Sequence, residues 1–169
     1  MVSNRACGRP TVSRDPQEPY SEHCVLHTAQ PKDAGDFRNE AERVLADAQQ
    51  QNGTADFTEV VFPELPTALQ TIGNIDVCFA GATFLCPVRI MLTGTPKADF
   101  RGATFKADAS FRHSFLGKDS AIDFSDAVFE VDAKLGGLFK CPVTFAGALF
   151  NGDVDTHEAA FAMVRTFQR

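Results

Sequence analysis

The fold of this chain is decided by the stretch Ala98-Asp99-Phe100-Arg101-Gly102-Ala103-Thr104-Phe105, because close copies of it recur along most of the sequence. Each copy holds two phenylalanines five residues apart. The pairs are Phe57/Phe62, Phe79/Phe84, Phe100/Phe105, Phe124/Phe129 and Phe145/Phe150, and their first members follow one another after 22, 21, 24 and 21 residues. A period of this length is typical of a repeat protein in which each unit stacks on the previous one.

The residues around the rings indicate which side chains face inward. A small or β-branched residue stands two positions before every paired ring, and a third apolar position, at Ile90, Phe111 and Leu135, follows eleven residues after the first ring of three pairs. A helix repeats its inward positions every three or four residues, so this spacing does not fit one. The period instead predicts a solenoid whose coils have four short extended faces joined by turns and lie about 4.8 Å apart.

The copies at 77–84, 98–105 and 143–150 share the pattern Ala-x-Phe-x-Gly-Ala-x-Phe, with Val in place of the first Ala in two of them. Over 55–161 the chain resembles the pentapeptide-repeat family, and within it the phenylalanine-centred bacterial variety. The resemblance implies an all-β solenoid, a right-handed quadrilateral β-helix of about five coils. It implies no reaction.

The remaining sequence divides into three parts around the repeat. Residues 1–31 are punctuated by prolines and predict an irregular leader, whereas 162–169 predict a C-terminal cap or a continuation of the solenoid. Residues 32–53 predict an amphipathic helix that caps the N-terminal end of the β-helix, whose strand edge would otherwise be open to aggregation. Its apolar stripe consists of Phe37, Ala41, Val44, Leu45 and Ala48.

The boundaries of this helix have recognisable signals. Asp33 or Asp36 is expected at the N-cap, where a side-chain oxygen accepts a free backbone N–H. Asn52-Gly53 is expected to end the helix in a left-handed conformation. Within the repeat, the step of 24 residues predicts a loop that protrudes at 115–120, and two prolines in 62–73 predict an imperfect first coil.

Composition and charge narrow the functional classes. The 169 residues include 16 Phe, one Tyr and no Trp, and the formal net charge is −6, which argues against a protein that binds nucleic acid by neutralising phosphates. The sequence has neither the long apolar run of a membrane helix nor the apolar region of a secretory signal, so we expect a cytoplasmic protein with no membrane partner. Five widely spread cysteines fit reduced thiols better than a disulfide framework.

The one arrangement with metal-ligand spacing lies in the leader. Cys24 and His27 form a Cys-x-x-His element, Cys7 lies upstream and His23 is adjacent, so Cys7, Cys24 and His27 supply three of the four ligands that zinc requires. Proteins similar to this one often carry such an element just before the capping helix. The alternative is that Cys24 and Leu26 are packing residues under that helix.

No other residues suggest a cofactor or catalysis. Cys86 and Cys141 each precede Pro-Val and are expected at corners of different coils, and His113 and His157 stand alone as surface residues. The acidic residues near Phe124 alternate with inward positions and are expected outside. A narrow solenoid filled by its own rings has no internal substrate cavity, so we expect that the protein is not an enzyme.

Three functional hypotheses remain open. The first is a non-catalytic scaffold that binds another macromolecule, in particular a protein, through its rigid surface, and that forms a homodimer through one end. The second follows from the resemblance, since some members of the family protect DNA gyrase by presenting an acidic rod that resembles duplex DNA; here Lys97, Arg101, Lys106, Arg112 and Lys118 are interleaved among the acids. The third is a small zinc module in the leader with the β-helix as its pedestal.

Overall fold

The computed structural model of the protein describes residues 26, 34–94, 96–116 and 119–161. They form a right-handed parallel β-solenoid of about five coils with one α-helix at its N-terminal end, which confirms the fold predicted from the repeat. In the described part of the chain, no helix is long and apolar enough to cross a membrane.

The described elements follow one another as short strands after a single helix. In chain order they are α1 (Ala34–Gln51), β1 (Thr54–Asp56), β2 (Val61–Phe62), a 3-10 helix (Thr67–Leu69), β3 (Thr71–Ile72), β4 (Asp76–Cys78), β5 (Thr83–Phe84), β6 (Val88–Gly94), β7 (Lys97–Asp99), β8 (Thr104–Phe105), β9 (Ala109–Leu116), β10 (Ala121–Asp123), β11 (Val128–Phe129), β12 (Ala133–Phe139), β13 (Val143–Thr144), β14 (Leu149–Phe150), β15 (Val154–Asp155) and β16 (Ala159–Phe161).

Parallel ladders run along the solenoid and define its sides. Side 1 consists of β1, β4, β7, β10 and β13, side 2 of β2, β5, β8, β11 and β14, and side 3 of β3, β6, β9, β12 and β15. Side 4 is formed where the last part of β12 pairs with β16. Every strand therefore lies directly above its counterpart in the previous coil, and equivalent residues form columns along the axis.

Two columns of phenylalanine rings fill the centre. One contains the first rings of the pairs, from Phe57 to Phe145, and the other contains the second rings, from Phe62 to Phe150. Neighbouring rings in a column are nearly parallel, with centroids 4.6 to 5.3 Å apart. Phe111 meets rings of both columns edge-on. Each fully buried ring removes enough apolar surface from water to contribute about 2 kcal/mol before the entropy cost of ordering the chain.

A turn was expected at every corner of the coil, but strands continue through the corner between sides 3 and 4. In β6 the chain continues as one strand of seven residues, because Val88, Ile90 and Leu92 are all buried and alternate with outward residues. Strict alternation is the pattern of an unbroken strand, so nothing forces a turn after Ile90. In β12 the change of direction is made within the strand at Gly137, whose φ of 105° favours glycine.

The longest coil accommodates its three extra residues in two places. Leu92 pairs with His113 but Thr93 pairs with Phe115, so Ser114 is an extra residue in a β-bulge. The other two lie in the corner between β9 and β10. The prediction of a loop over 115–120 is therefore wrong for 115 and 116, which belong to β9; residues 117 and 118 lie outside the described part.

The first coil is imperfect, as two prolines predicted. A 3-10 helix replaces the first part of side 3, with Pro66 buried before it and Leu69 buried within it. The ladder is re-established at Ile72, which pairs with Leu92 of the next coil. The backbone carbonyl of Gln70 accepts the N–H of Met91 at 2.8 Å, which joins the two coils.

The helix α1 caps the N-terminal end, as predicted. Its buried residues are those of the predicted stripe, and the ring of Phe37 meets Phe62 edge-on with centroids 5.6 Å apart. Asn52 adopts a φ of 49° and the N–H of Gly53 donates to the carbonyl of Ala48 at 2.9 Å, which ends the helix. Asp36 lies inside the first turn and is not the N-cap.

Several predictions concern residues outside the described part. They include the irregular leader 1–31 except Leu26, the N-cap at Asp33 and the C-terminal segment 162–169. Leu26 is buried in the same apolar core as the helix stripe. That position agrees with packing under the capping helix, the alternative considered for this part of the leader.

Candidate functional site

The predicted zinc ligands Cys7, Cys24 and His27 lie outside the described residues, and the zinc site stays a prediction. Elsewhere, over 34–94, 96–116 and 119–161, the structure brings together no group of three or more His, Cys, Asp or Glu side chains able to hold a metal ion.

The interior of the solenoid is occupied by apolar side chains. Among the described residues, Ser120 is the one buried polar side chain, and its hydroxyl donates to the carbonyl of Gly94 at 3.3 Å. Buried polar groups are ordinarily satisfied in this way, so Ser120 has a structural role at the corner before side 1. The residues that can contact a ligand are the outward ones on the four sides.

The described cysteines lie at or near the corners, and the two Cys-Pro-Val elements are on different sides as predicted. Cys86 precedes side 3 and Cys141 precedes side 1. Burial raises the pKa of both thiols, which disfavours the reactive thiolate. Cys78 lies outward on side 1, where its Sγ is 3.3 Å from the Thr58 hydroxyl and 3.9 Å from the Asp99 carboxylate.

Side 1 carries many of the acidic residues, but several of them stabilise turns. Asp56, Asp99 and Asp123 each accept the backbone N–H of the residue two positions later, at 2.8 to 3.0 Å. Such Asx turns hold the corner between sides 1 and 2. The column that contains these three aspartates is interrupted by Cys78 and ends at Thr144.

Asp99 also binds the guanidinium of Arg101, which follows it at the same corner. Arg101 donates from Nη2 to Asp99 Oδ2 at 2.6 Å and from Nε to Oδ1 at 2.9 Å. Partial burial acts to raise the pKa of Asp99, but the hydrogen bonds and positive charge of Arg101 outweigh it and hold that pKa below its usual value. Arg101 therefore offsets the negative charge of Asp99.

Side 2 presents a stripe without charge through all five coils. Its outward column, here called the side 2 stripe, consists of Val61, Thr83, Thr104, Val128 and Leu149. Leu149 is 59% exposed, and Leu85 at the neighbouring corner is 50% exposed. The ion pair between Lys106 and Glu130, at 2.6 Å, borders the stripe on the same corner as Leu85.

Side 3 bears an open groove of about 820 Å³, here called the side 3 groove. Its floor is the strand backbone of β6, β9 and β12, and its wall on the corner before these strands carries Asp108, Asp132 and Asp153. The central outward column runs from Arg89 through Ser110 and Lys134 to Asp155. Unlike the side 2 stripe, this surface contains charges of both signs.

Neither surface was predicted from the sequence. Each residue of the side 2 stripe stands immediately before the second ring of a pair, so an alignment of the copies by their rings contains the signal. The side 3 groove is harder to predict from the sequence, because its residues lie in the part of the repeat where the coils differ in length. His157 is exposed and donates its backbone N–H to Asp155, as expected of a surface residue. The side chain of His113 is not among the described parts of the structure.

Comparison with known proteins found no matching family model, no matching curated protein and no matching solved structure.

Proposed function

We propose that this chain is a pentapeptide-repeat protein that acts as a non-catalytic scaffold and binds another protein through the side 2 stripe. The family assignment depends on the repeated Ala-x-Phe-x-Gly-Ala-x-Phe pattern, and the solenoid fold is compatible with it. The observation that carries the functional proposal is the uncharged column from Val61 to Leu149 on a chain in which 22% of the residues are charged.

The chemistry of the stripe suits the centre of a protein interface. Such centres are depleted of charged residues and surrounded by a polar rim. Here the rim contains Lys106 and Glu130 on one border, and Glu59 and Asp126 at the turns that precede side 2 on the other. A partner with a flat apolar surface can cover the stripe without leaving a buried charge unpaired.

The side chains of the stripe also lose little conformational freedom when a partner binds. Four of its five residues are Val or Thr, whose branched side chains have restricted χ1 rotamers before binding. The backbone beneath them is fixed by ladder hydrogen bonds and by the stacked rings of Phe84, Phe105 and Phe129. Preorganisation reduces the entropy cost of association, which is the advantage that a rigid scaffold offers.

The proposal is tested by placing a photoreactive residue on the surface of the full chain. Benzoylphenylalanine in place of Thr104 is expected to crosslink a protein from a lysate of the source organism. The same residue in place of Ala121, an outward position on side 1, is the matched control. Crosslinking of one protein at 104 but not at 121 supports the proposal; identical products at both positions, or none at 104, contradict it.

The DNA-mimic hypothesis is less well supported. Cys78 interrupts the aspartate column on side 1, and Arg101, Lys106 and Arg112 each form an ion pair with an acid on the rod surface. A mimic of duplex DNA requires closely spaced negative charges without such neutralisation. We expect no effect of the protein on DNA supercoiling by gyrase at micromolar concentration.

The zinc-module hypothesis concerns the leader and is tested separately. Native mass spectrometry of the full chain measures bound zinc directly. One zinc ion that is lost in Cys24→Ser would support the module, whereas a metal-free chain would exclude it.

A second copy of the chain is the partner we propose at the C-terminal end of the described coils. Val154 occupies an inward position in register with Ala133, which is buried, yet Val154 is 44% exposed. Phe150 and Phe161 are half-buried at the same end. Light scattering of the full chain across concentrations should give the mass of a dimer, and replacement of Val154 by Lys should return it to a monomer.

A further inference from the structure

The side 3 groove carries an inference beyond the proposed use of the side 2 stripe. We propose that the groove binds an extended peptide segment of a second partner, a segment that contains both acidic and basic side chains.

The charges in the groove are not equally satisfied. At its C-terminal half, Lys134 pairs with Asp155 and Arg112 pairs with Glu158, both at 3.0 Å. The side chains of Arg89, Asp108 and Asp153, which also line the groove, have no hydrogen bond or ion pair with any described residue. The unpaired charges are therefore of both signs, and Arg89 and Asp108, which are of opposite sign, lie in neighbouring coils of the same groove.

The unpaired charges of Arg89 and Asp108 indicate the charge pattern of the ligand. A guanidinium presents N–H groups in a planar fork that matches a carboxylate, so Arg89 is suited to an acidic side chain. Asp108, in the next coil along the axis, is suited to a lysine or arginine. A ligand with both charges satisfies both groups, whereas a ligand of one sign leaves one of them opposed by a like charge.

Two features exclude other ligand classes. Four acids and three bases line the groove, so a polyanion such as nucleic acid would meet net repulsion. The groove is also an open channel that crosses several strands instead of an enclosed pocket, and successive coils each contribute residues to its lining. That shape suits an extended chain that crosses the strands and is recognised by its side chains.

Apolar and neutral polar side chains at the N-terminal end of the groove can also contact a peptide. Met91 is 40% exposed there, and its flexible thioether can adapt to different neighbouring side chains. Gln70 and Ser110 supply an amide and a hydroxyl that can hydrogen-bond a peptide backbone. Arg89 and Asp108 are exposed to solvent, so the ion pairs that they form with a peptide are expected to weaken as the salt concentration rises.

A phage-displayed library of random linear peptides, selected on the full chain, tests this inference. Selection includes removal of phage that bind Arg89→Glu. Enriched peptides are then synthesised with a fluorophore, and their binding is measured by anisotropy. We expect enriched sequences to contain at least one acidic and one basic residue, and their affinity to fall about tenfold or more in Arg89→Glu and in Asp108→Lys.

Two control variants separate this inference from its alternatives. Lys97→Glu makes the same charge change as Arg89→Glu on side 1 and is expected to leave peptide affinity unchanged. Thr104→Arg disrupts the side 2 stripe and is also expected to leave peptide affinity unchanged. Failure of the proposed function of the stripe would therefore not imply that the side 3 groove fails to bind peptides. Absence of enriched peptides, enrichment without the mixed charge pattern, or equal loss in Lys97→Glu would overturn the inference.

Discussion

Phe84 and Phe105 stack with their ring centroids 5.0 Å apart and their planes within 1° of parallel. The contact joins two coils at the centre of the solenoid, and the same relationship continues from Phe105 to Phe129. Because Phe105 has a stacked neighbour on each side, its ring cannot be removed without leaving a cavity between two coils. The stability of the rod is therefore expected to depend strongly on the central rings.

Phe105→Ala should lower the free energy of unfolding by about 3–5 kcal/mol, the usual cost of removing a buried ring. Urea denaturation measures the change. Phe150→Ala is the matched control, because Phe150 is half-buried and stacks on one ring of its column. It should cost less, and an equal or larger loss at Phe150 would contradict the stacked-core interpretation.

Gly102→Ala should cost about 1–2 kcal/mol because Gly102 has a φ of 64°, a left-handed conformation that disfavours a side chain. A Cβ at this position would meet no atom within 4 Å, so the cost would arise from the backbone alone. Gly53→Ala is the control, since its Cβ would also lie in open space but its φ is not in the left-handed region. Thermal melts of the two variants should differ, and equal melting temperatures would refute the explanation.

Asp99 should contribute stability that is lost in acid. Its pKa is lower in the folded chain than the value of about 4 for an unfolded aspartate, so the contribution is complete above that value and disappears as the pH falls through the folded pKa. Asp99→Asn removes this contribution, and Arg101→Gln reduces it, because the backbone N–H of residue 101 still donates to Asp99 in that variant. Both variants should lose less unfolding free energy than the unmodified chain as the pH falls below about 4; a slope as steep as that of the unmodified chain would contradict this assignment.

Cys86 and Cys141 should react slowly with iodoacetamide at mildly alkaline pH, because burial raises the pKa of both thiols and limits access to them. Peptide mapping by mass spectrometry measures each site separately. The same chain unfolded in urea supplies the control rate for both cysteines. Modification of the folded chain at the unfolded rate would show that these thiols are not protected.

Features that depend on local periodicity could be predicted from the sequence. The apolar stripe of α1 and the paired rings follow from spacing alone, because burial selects side chains at a fixed interval. The bulge at Ser114 and the unbroken strand β6 were not predicted. They depend on how one coil pairs with the next, which spacing within a coil does not determine.

The candidate surfaces were missed for the same reason. The outward residues of side 2 form an uncharged column only once the coils are in register. Thr104 lies against Thr83, 21 residues earlier, and against Val128, 24 residues later, so a constant period does not align them. The unpaired charges of Arg89 and Asp108 depend on side-chain contacts, which sequence spacing does not give.

The most direct test of the proposed scaffold function is a comparison of the proteins captured by Thr104→Arg and by Ala121→Arg. Each variant adds one positive charge at an outward position, on side 2 and side 1 respectively, and quantitative mass spectrometry measures capture from the same lysate by the immobilised full chain. We predict that Thr104→Arg reduces capture of the crosslinked partner about tenfold or more, since a buried unpaired charge is costly, while Ala121→Arg retains it. Equal capture by both variants, with both folded, would contradict a protein-binding role for the side 2 stripe.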